Sequence, residues 1–229
     1  MATTKNSSSF KIIIFLTIIV FAAITIFVIV SNNNNKEEGN EVVFDNQPST
    51  EGQPILGDDS APVQVVEFGD FKCPACKSWG ETVFPQLEED YIDKGEVQFS
   101  YINVLFHGDE SKVGSIAAES VLDLEPESYW SFHKKLFEAQ PANDHDTAWL
   151  TMDKVNEVAE ETTNIDPNDL LEKMQTKEVI DSVNEDITLV NDFKVKLTPS
   201  IMVNGKMLED PFDYERIKVL IDEALAGKE

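Results

Sequence analysis

Cys73 and Cys76 are the only cysteines in this 229-residue chain, and only Pro74 and Ala75 separate them. A staple between such close neighbours would restrain almost no chain, so the pair points to thiol-disulfide chemistry and not to a structural crosslink. Proline favours the first position of a helix, which makes Cys73 the expected N-cap. There its sulfur can accept hydrogen bonds from the amides of Ala75 and Cys76, and the positive end of the helix dipole favours a thiolate. Cys73 is therefore the expected nucleophile. Cys76, one turn on and facing inward, is the expected resolving thiol. Half a zinc site is the competing chemistry, but there is no third cysteine, and His107, His133 and His145 are scattered.

The elements needed to position the pair are legible around it. Val63 to Phe68 is short, β-branched and almost continuously apolar, as in a strand buried inside a sheet. From Pro74 a helical pattern places Cys76, Gly80, Val83, Leu87 and Tyr91 on one face, with a kink expected at Pro85. A second strand over Val97 to Val104 completes a βαβ unit, implying a parallel pair. From about Ser111 to Phe193 five helical patterns follow with no strand among them. His133 shares a face with Tyr129, Trp130, Leu136 and Phe137 and reads as a core histidine; His107 and His145 sit in loops with no identifiable partner. The sheet resumes at Ser200 to Val203, turns at Asn204-Gly205 and returns over Lys206 to Leu208. A last amphipathic helix runs from about Asp213 to a cap at Gly227.

Ahead of this, Ile12 to Val30 is an apolar run broken only by Thr17 and Thr25. As a helix it would span roughly 28 Å, about one hydrocarbon core. Lys5 and Lys11 are the only charges before it, which predicts a cytoplasmic N-terminus (1–11), a single-pass anchor (12–30) and export of the rest. A cleaved signal peptide is the rival, though no small-x-small site follows. Residues 31–52, rich in Asn, Glu, Gln and Ser, read as a flexible spacer, with the folded part starting near Gln53. With 18 Lys and Arg against 43 Asp and Glu, the net charge of −25 excludes nucleic acid as a natural partner.

Glu67 to Cys76 (Glu-Phe-Gly-Asp-Phe-Lys-Cys-Pro-Ala-Cys), Leu197-Thr198-Pro199-Ser200, the Asn204-Gly205 hairpin and the helical stretch between them resemble the DsbA-type oxidoreductases. The resemblance implies an α/β thioredoxin fold, here 53–108 with 194–229, carrying a helical insertion at 109–193 and preceded by one N-terminal transmembrane helix. It places Pro199 as a cis-proline facing the cysteines, with Thr198 before it as the backbone that an extended substrate would pair with. It puts Glu67 beneath the disulfide, where burial would raise its pKa and suit it to move the proton of Cys76; a salt-bridged or edge-exposed glutamate is the alternative. It implies an enzyme needing no soluble cofactor that passes its disulfide to exported proteins with free thiols, reoxidised by a DsbB-like, quinone-linked membrane protein. Gram-positive members are associated with a calcium ion, and the positions matching its ligands are Gln53, Glu119 and Asp186. The strongly oxidising Gram-negative members carry histidine where Ala75 stands, so a reductase or isomerase remains open beside the oxidase, as does a binding or chaperone module with dispensable cysteines.

Overall fold

The computed structural model describes residues 41–142 and 147–227. The strands and helices in chain order are β1 (Val42–Val43), β2 (Ile55–Leu56), β3 (Val63–Gly69), α1 (Pro74–Thr82), α2 (Phe84–Leu87) and β4 (Val97–Asn103). Then come α3 (Asp109–Leu124), α4 (Tyr129–Glu138), α5 (Met152–Thr162), α6 (Pro167–Lys173) and α7 (Lys177–Asp192), before β5 (Ser200–Val203), β6 (Lys206–Met207) and α8 (Tyr214–Ala226). One six-stranded sheet has the order β1-β6-β5-β3-β4-β2. β3 and β4 pair in parallel through α1, while β5 runs antiparallel to β3, so that the C-terminal end of β3 lies beside the N-terminal end of β5. This is the thioredoxin arrangement, and five helices stand between β4 and β5 as the periodicity predicts.

The nearly continuous apolar run of β3, buried at all seven positions, explains its central place. Val63 and Val65 face one layer with Trp79, Leu87, Phe99 and α8 residues Ile217, Leu220 and Ile221. Val66 and Phe68 face the other with Ile102, Met202 and Val190 of α7. Glu67 shares the parity of Val65 and so points to the α1 side. A third core joins Phe71 and Tyr101 to the inserted helices. The β5–β6 turn has Asn204 at φ 44° and Gly205 at φ 82°, the left-handed pair that the Asn-Gly dipeptide favours.

Three expectations need correction. Residues 41–52 are not all spacer, because β1 pairs with β6 and Glu41 forms a two-pronged ion pair with Arg216 of α8. The kink at Pro85 is instead a break: α1 stops at Thr82 and α2 restarts at Phe84, where Pro85 takes an early position that needs no amide donor. In the last of the five helical patterns Ile180, Val183, Ile187 and Val190 share a helical spacing that predicts one apolar face, yet Ile187 is 37% exposed. Among the described residues no helix is long and apolar enough to cross a membrane. The apolar run 12–30, the segments 1–11 and 31–40, and His145 lie outside the described residues.

Candidate active site

The two cysteines differ sharply in surroundings. Cys73 caps α1 in extended conformation and its Sγ lies 3.3 Å from the carbonyl oxygen of Thr198, next to a cis Thr198–Pro199 bond. Cys76 is 1% exposed, and its Sγ accepts from the backbone N–H of Asp70 at 3.4 Å. Both are free thiols. The expected cap bonds to Cys73 are not formed: no amide reaches its sulfur in hydrogen-bond geometry, because the side chain turns toward Thr198 and Cys76. The Cys73 thiol is nevertheless held down to about 5, first by the hydrogen bond from Cys76, against burial, then by the Thr198 side chain, with smaller contributions from the amides of Cys76 and Ala75. Cys76 moves the opposite way, pushed well above the usual thiol range by burial, by its bond to Cys73 and by the charge of Glu67.

Glu67 is 3% exposed, and its Oε1 has no hydrogen-bond partner among the described residues. Burial, followed by the charge on Cys73, raises its pKa well above the ordinary carboxyl value, so the acid form is favoured. The structure thus brings Cys73, Cys76, Glu67, Thr198 and Pro199 to one end of the sheet, with the low-pKa thiol of Cys73 at the cap of α1 and the two groups of raised pKa, Cys76 and Glu67, buried near it.

Several supporting residues escaped the sequence reading. Asp70, 1% exposed, accepts from the amides of Lys72 (2.8 Å) and Phe106 (3.0 Å), from Ser111 Oγ (2.9 Å) and from His107 Nδ1 (2.8 Å). His107 therefore has a partner after all, 37 positions upstream, at a distance in sequence that local pattern does not reach. Gln140 Nε2 donates to the carbonyls of Phe71 (2.8 Å) and Cys73 (3.2 Å). Lys72 Nζ pairs with Glu110 (2.8 Å) and donates to Thr147 O (2.7 Å). The polar residues Asp70 and Lys72 within an apolar stretch were the available signal. His133 is a core residue as expected, ringed by Phe71, Tyr101, Trp130 and Phe137; burial holds it neutral, down to about 3.

Gln53, Glu119 and Asp186 also converge. Gln53 Nε2 donates to Asp186 Oδ1 at 2.7 Å, and Asn103 Nδ2 donates to both Glu119 Oε1 and Asp186 Oδ2 at 2.8 Å. Both carboxylates are buried and raised in pKa, chiefly by burial, with Asp186 adding its charge to the effect on Glu119. Gln53 Oε1 and Asn103 Oδ1 are buried without partners among the described residues. Among the described residues no group of three or more His, Cys, Asp or Glu could hold a metal ion. This cluster holds two carboxylates with two amide oxygens left over, an all-oxygen donor set that fits a hard cation. Asn103, the last residue of β4, was not anticipated.

A thioredoxin sheet, a Cys-x-x-Cys pair at its central strand and a cis-proline opposite define a thiol-disulfide oxidoreductase. The thioredoxin family model matches residues 49–223, and the chain belongs to that family as a DsbA-like enzyme. It is 44% identical over 191 residues to disulfide bond formation protein D of Bacillus subtilis, covering 83% of this chain and 85% of that one. It is 40% identical to a probable disulfide bond formation protein D of Bacillus anthracis, covering 76% of this chain and 78% of that protein. The crystal structure of oxidised BdbD from Bacillus subtilis superposes with a TM-score of 0.76 at 42% identity, over 80% of this chain and 98% of that one. Chlamydia trachomatis DsbA shares the fold at a TM-score of 0.66 and 18% identity, over 77% of this chain and 93% of that one.

Proposed function

We propose that this oxidoreductase works as an oxidase of exported proteins, tethered by the apolar run 12–30 with its catalytic domain on the outer side of the cell membrane. The opposite perturbation of the two thiols carries the reading. A substrate thiolate attacks Cys73 Sγ in the disulfide form, the Cys73–Cys76 bond breaks, and Cys76 leaves with the electron pair. Protonated Glu67 gives it a proton. A second substrate thiolate attacks the substrate sulfur of the mixed disulfide and expels Cys73, whose low pKa makes it a good leaving group. The substrate is oxidised by two electrons and the enzyme becomes a dithiol, to be reoxidised by a DsbB-like, quinone-linked membrane protein. Thr198 offers its backbone to an extended substrate, and Pro199 shapes that edge.

The reduction potential of the full-length protein against glutathione tests the direction: about −120 mV supports an oxidase, whereas about −270 mV would make it a reductase. Glu67→Gln tests the acid. It is expected to keep the fold and slow exchange by about 100-fold, the low end for a general acid.

The Gln53–Asn103–Glu119–Asp186 cluster is further proposed to hold one calcium ion. Its role is stabilisation, since it ties the segment before β2 to α3 and α7 and shares no hydrogen bond with the cysteines.

A further inference from the structure

The inserted helices grip the loop that ends in Cys73 at consecutive residues. Gln140, just past the end of α4 and 4% exposed, donates from Nε2 to the carbonyls of both Phe71 (2.8 Å) and Cys73 (3.2 Å). In return Lys77 Nζ, one turn into α1, donates to the carbonyls of Glu138 (3.2 Å) and Gln140 (3.0 Å). Between the two held carbonyls, the Lys72 side chain reaches Glu110 and the carbonyl of Thr147. The Phe71 ring lies 5.0 Å from that of Phe137 on α4. Cys73 is thereby held from three sides: its N–H donates to Asp70 O at 2.9 Å within the loop, its carbonyl meets Gln140 from the insertion, and its sulfur lies 3.3 Å from Thr198 O ahead of β5. The first helical bond to that carbonyl, from Lys77 N, is long at 3.3 Å, and Gln140 supplies the second donor.

We propose that Gln140 is a positioning residue for thiol-disulfide exchange, fixing the backbone of Cys73, and so the direction of its sulfur, from the inserted domain. The inference rests on Cys73 being the attacked sulfur and the low-pKa thiol. As N-cap, at φ −77° and ψ 120°, Cys73 lies outside the helical conformation that fixes Cys76. A substrate thiolate attacks in line with the Cys73–Cys76 bond, so the placement of one sulfur against the other governs the rate, and a misplacement of about 1 Å can cost about 100-fold. Phe71, Cys73 and Gln140 are no more than 6% exposed. Without the Gln140 amide, two buried carbonyls lose a donor, and the segment 71–73 must turn to satisfy them. That turn takes the sulfur off the contacts with Cys76 and Thr198 that hold its thiol down to about 5. The thiolate exists only in the dithiol, so the loss falls on that form alone. A purely structural tether would weaken both redox forms alike.

Gln140→Met keeps the length of the side chain and removes both donors. In the full-length protein the Cys73 midpoint, read by ultraviolet thiolate absorbance, should rise by about one pH unit. The equilibrium with glutathione should shift about tenfold toward the protein disulfide, about 30 mV more negative for this two-electron couple. Reduction of the oxidised protein by dithiothreitol should slow about tenfold. Gln140→Asn, whose amide falls one methylene short of both carbonyls, should move these readouts in the same direction and decides the matter if Gln140→Met does not fold. Asp166→Ala is the control: it removes the N-cap of α6, where Asp166 accepts from Asn168 N at 2.8 Å, and leaves both carbonyls paired. It should lower Tm and keep the midpoint, equilibrium and rate of the wild type. Wild-type midpoint and equilibrium in the Gln140 variants, or equal shifts in Asp166→Ala, would reduce Gln140 to a structural tether. A midpoint of 8 or higher in the wild type would instead refute the low-pKa nucleophile on which the inference rests.

Discussion

Replacing Glu119 by Gln should change stability in opposite directions with and without calcium. Glu119 Oε1 and Asp186 Oδ2 both lie 2.8 Å from the same Asn103 nitrogen, so they are no farther apart than twice that distance. Like charges about 5 Å apart at an effective dielectric of about 20 repel by about 3 kcal/mol. Without a cation, the folded protein must either bear that repulsion or keep Glu119 protonated, and both are costly at neutral pH. The sign follows from the raised pKa values: the folded state binds more protons than the unfolded one, so this contribution falls as pH rises above the ordinary carboxyl range. In chelator at pH 7.5, Glu119→Gln removes the penalty and should gain up to about 3 kcal/mol, which at roughly 2–4 °C per kcal/mol raises Tm by about 6–12 °C. In calcium the wild type should gain about 2.7 kcal/mol at 100 times its Kd, and the variant, with one charged ligand lost, much less. Differential scanning calorimetry with calcium and with chelator reads both arms. A variant less stable than the wild type in both, or an equal calcium shift in both, would refute the cation reading.

The Cys73 thiolate should titrate near 5, leaving about 99% thiolate at pH 7; ultraviolet thiolate absorbance against pH reads it, and a midpoint of 8 or higher would contradict the stabilisation by Cys76 and Thr198. Because that stabilisation exists only in the dithiol form, the reduced protein should melt above the oxidised one, as paired thermal scans would show. Glu110→Gln leaves Lys72, with 7% side-chain exposure, opposite a neutral group. A loss of about 2 kcal/mol is expected in urea unfolding, less than the 3–5 kcal/mol of a fully buried pair because Glu110 keeps 22% exposure. Gly114→Ala would place a Cβ 2.8 Å from Leu150 Cδ2 and 3.0 Å from Phe71 Cβ. Overpacking of about 1–3 kcal/mol should outweigh the gain of up to about 1 kcal/mol in helix propensity, and a higher Tm would show that the neighbours yield.

Local signals in the chain were enough to place the cysteine pair at a strand-to-helix junction, the buried β3 around Glu67, the five helices before β5 and the Asn204-Gly205 hairpin. Each depends on periodicity or on the backbone preference of one or two residues, which act within a few positions. The resemblance carried by the Cys73 and Pro199 motifs added the pairing of those two distant segments. What the sheet order decided was different in kind. Setting β5 and β4 on either side of β3 brought the Thr198 carbonyl within 3.3 Å of the Cys73 sulfur. It gave Asp70 to His107, and it set Asn103 between Glu119 and Asp186. Residues 41–52 read as spacer because their composition is polar, yet β6 offers an open edge to Val42 and Val43 and α8 offers Arg216 to Glu41. Such partners are chosen by hydrogen-bond and charge complementarity across more than a hundred residues, and no local pattern encodes that; only the packed tertiary structure brings the groups within reach.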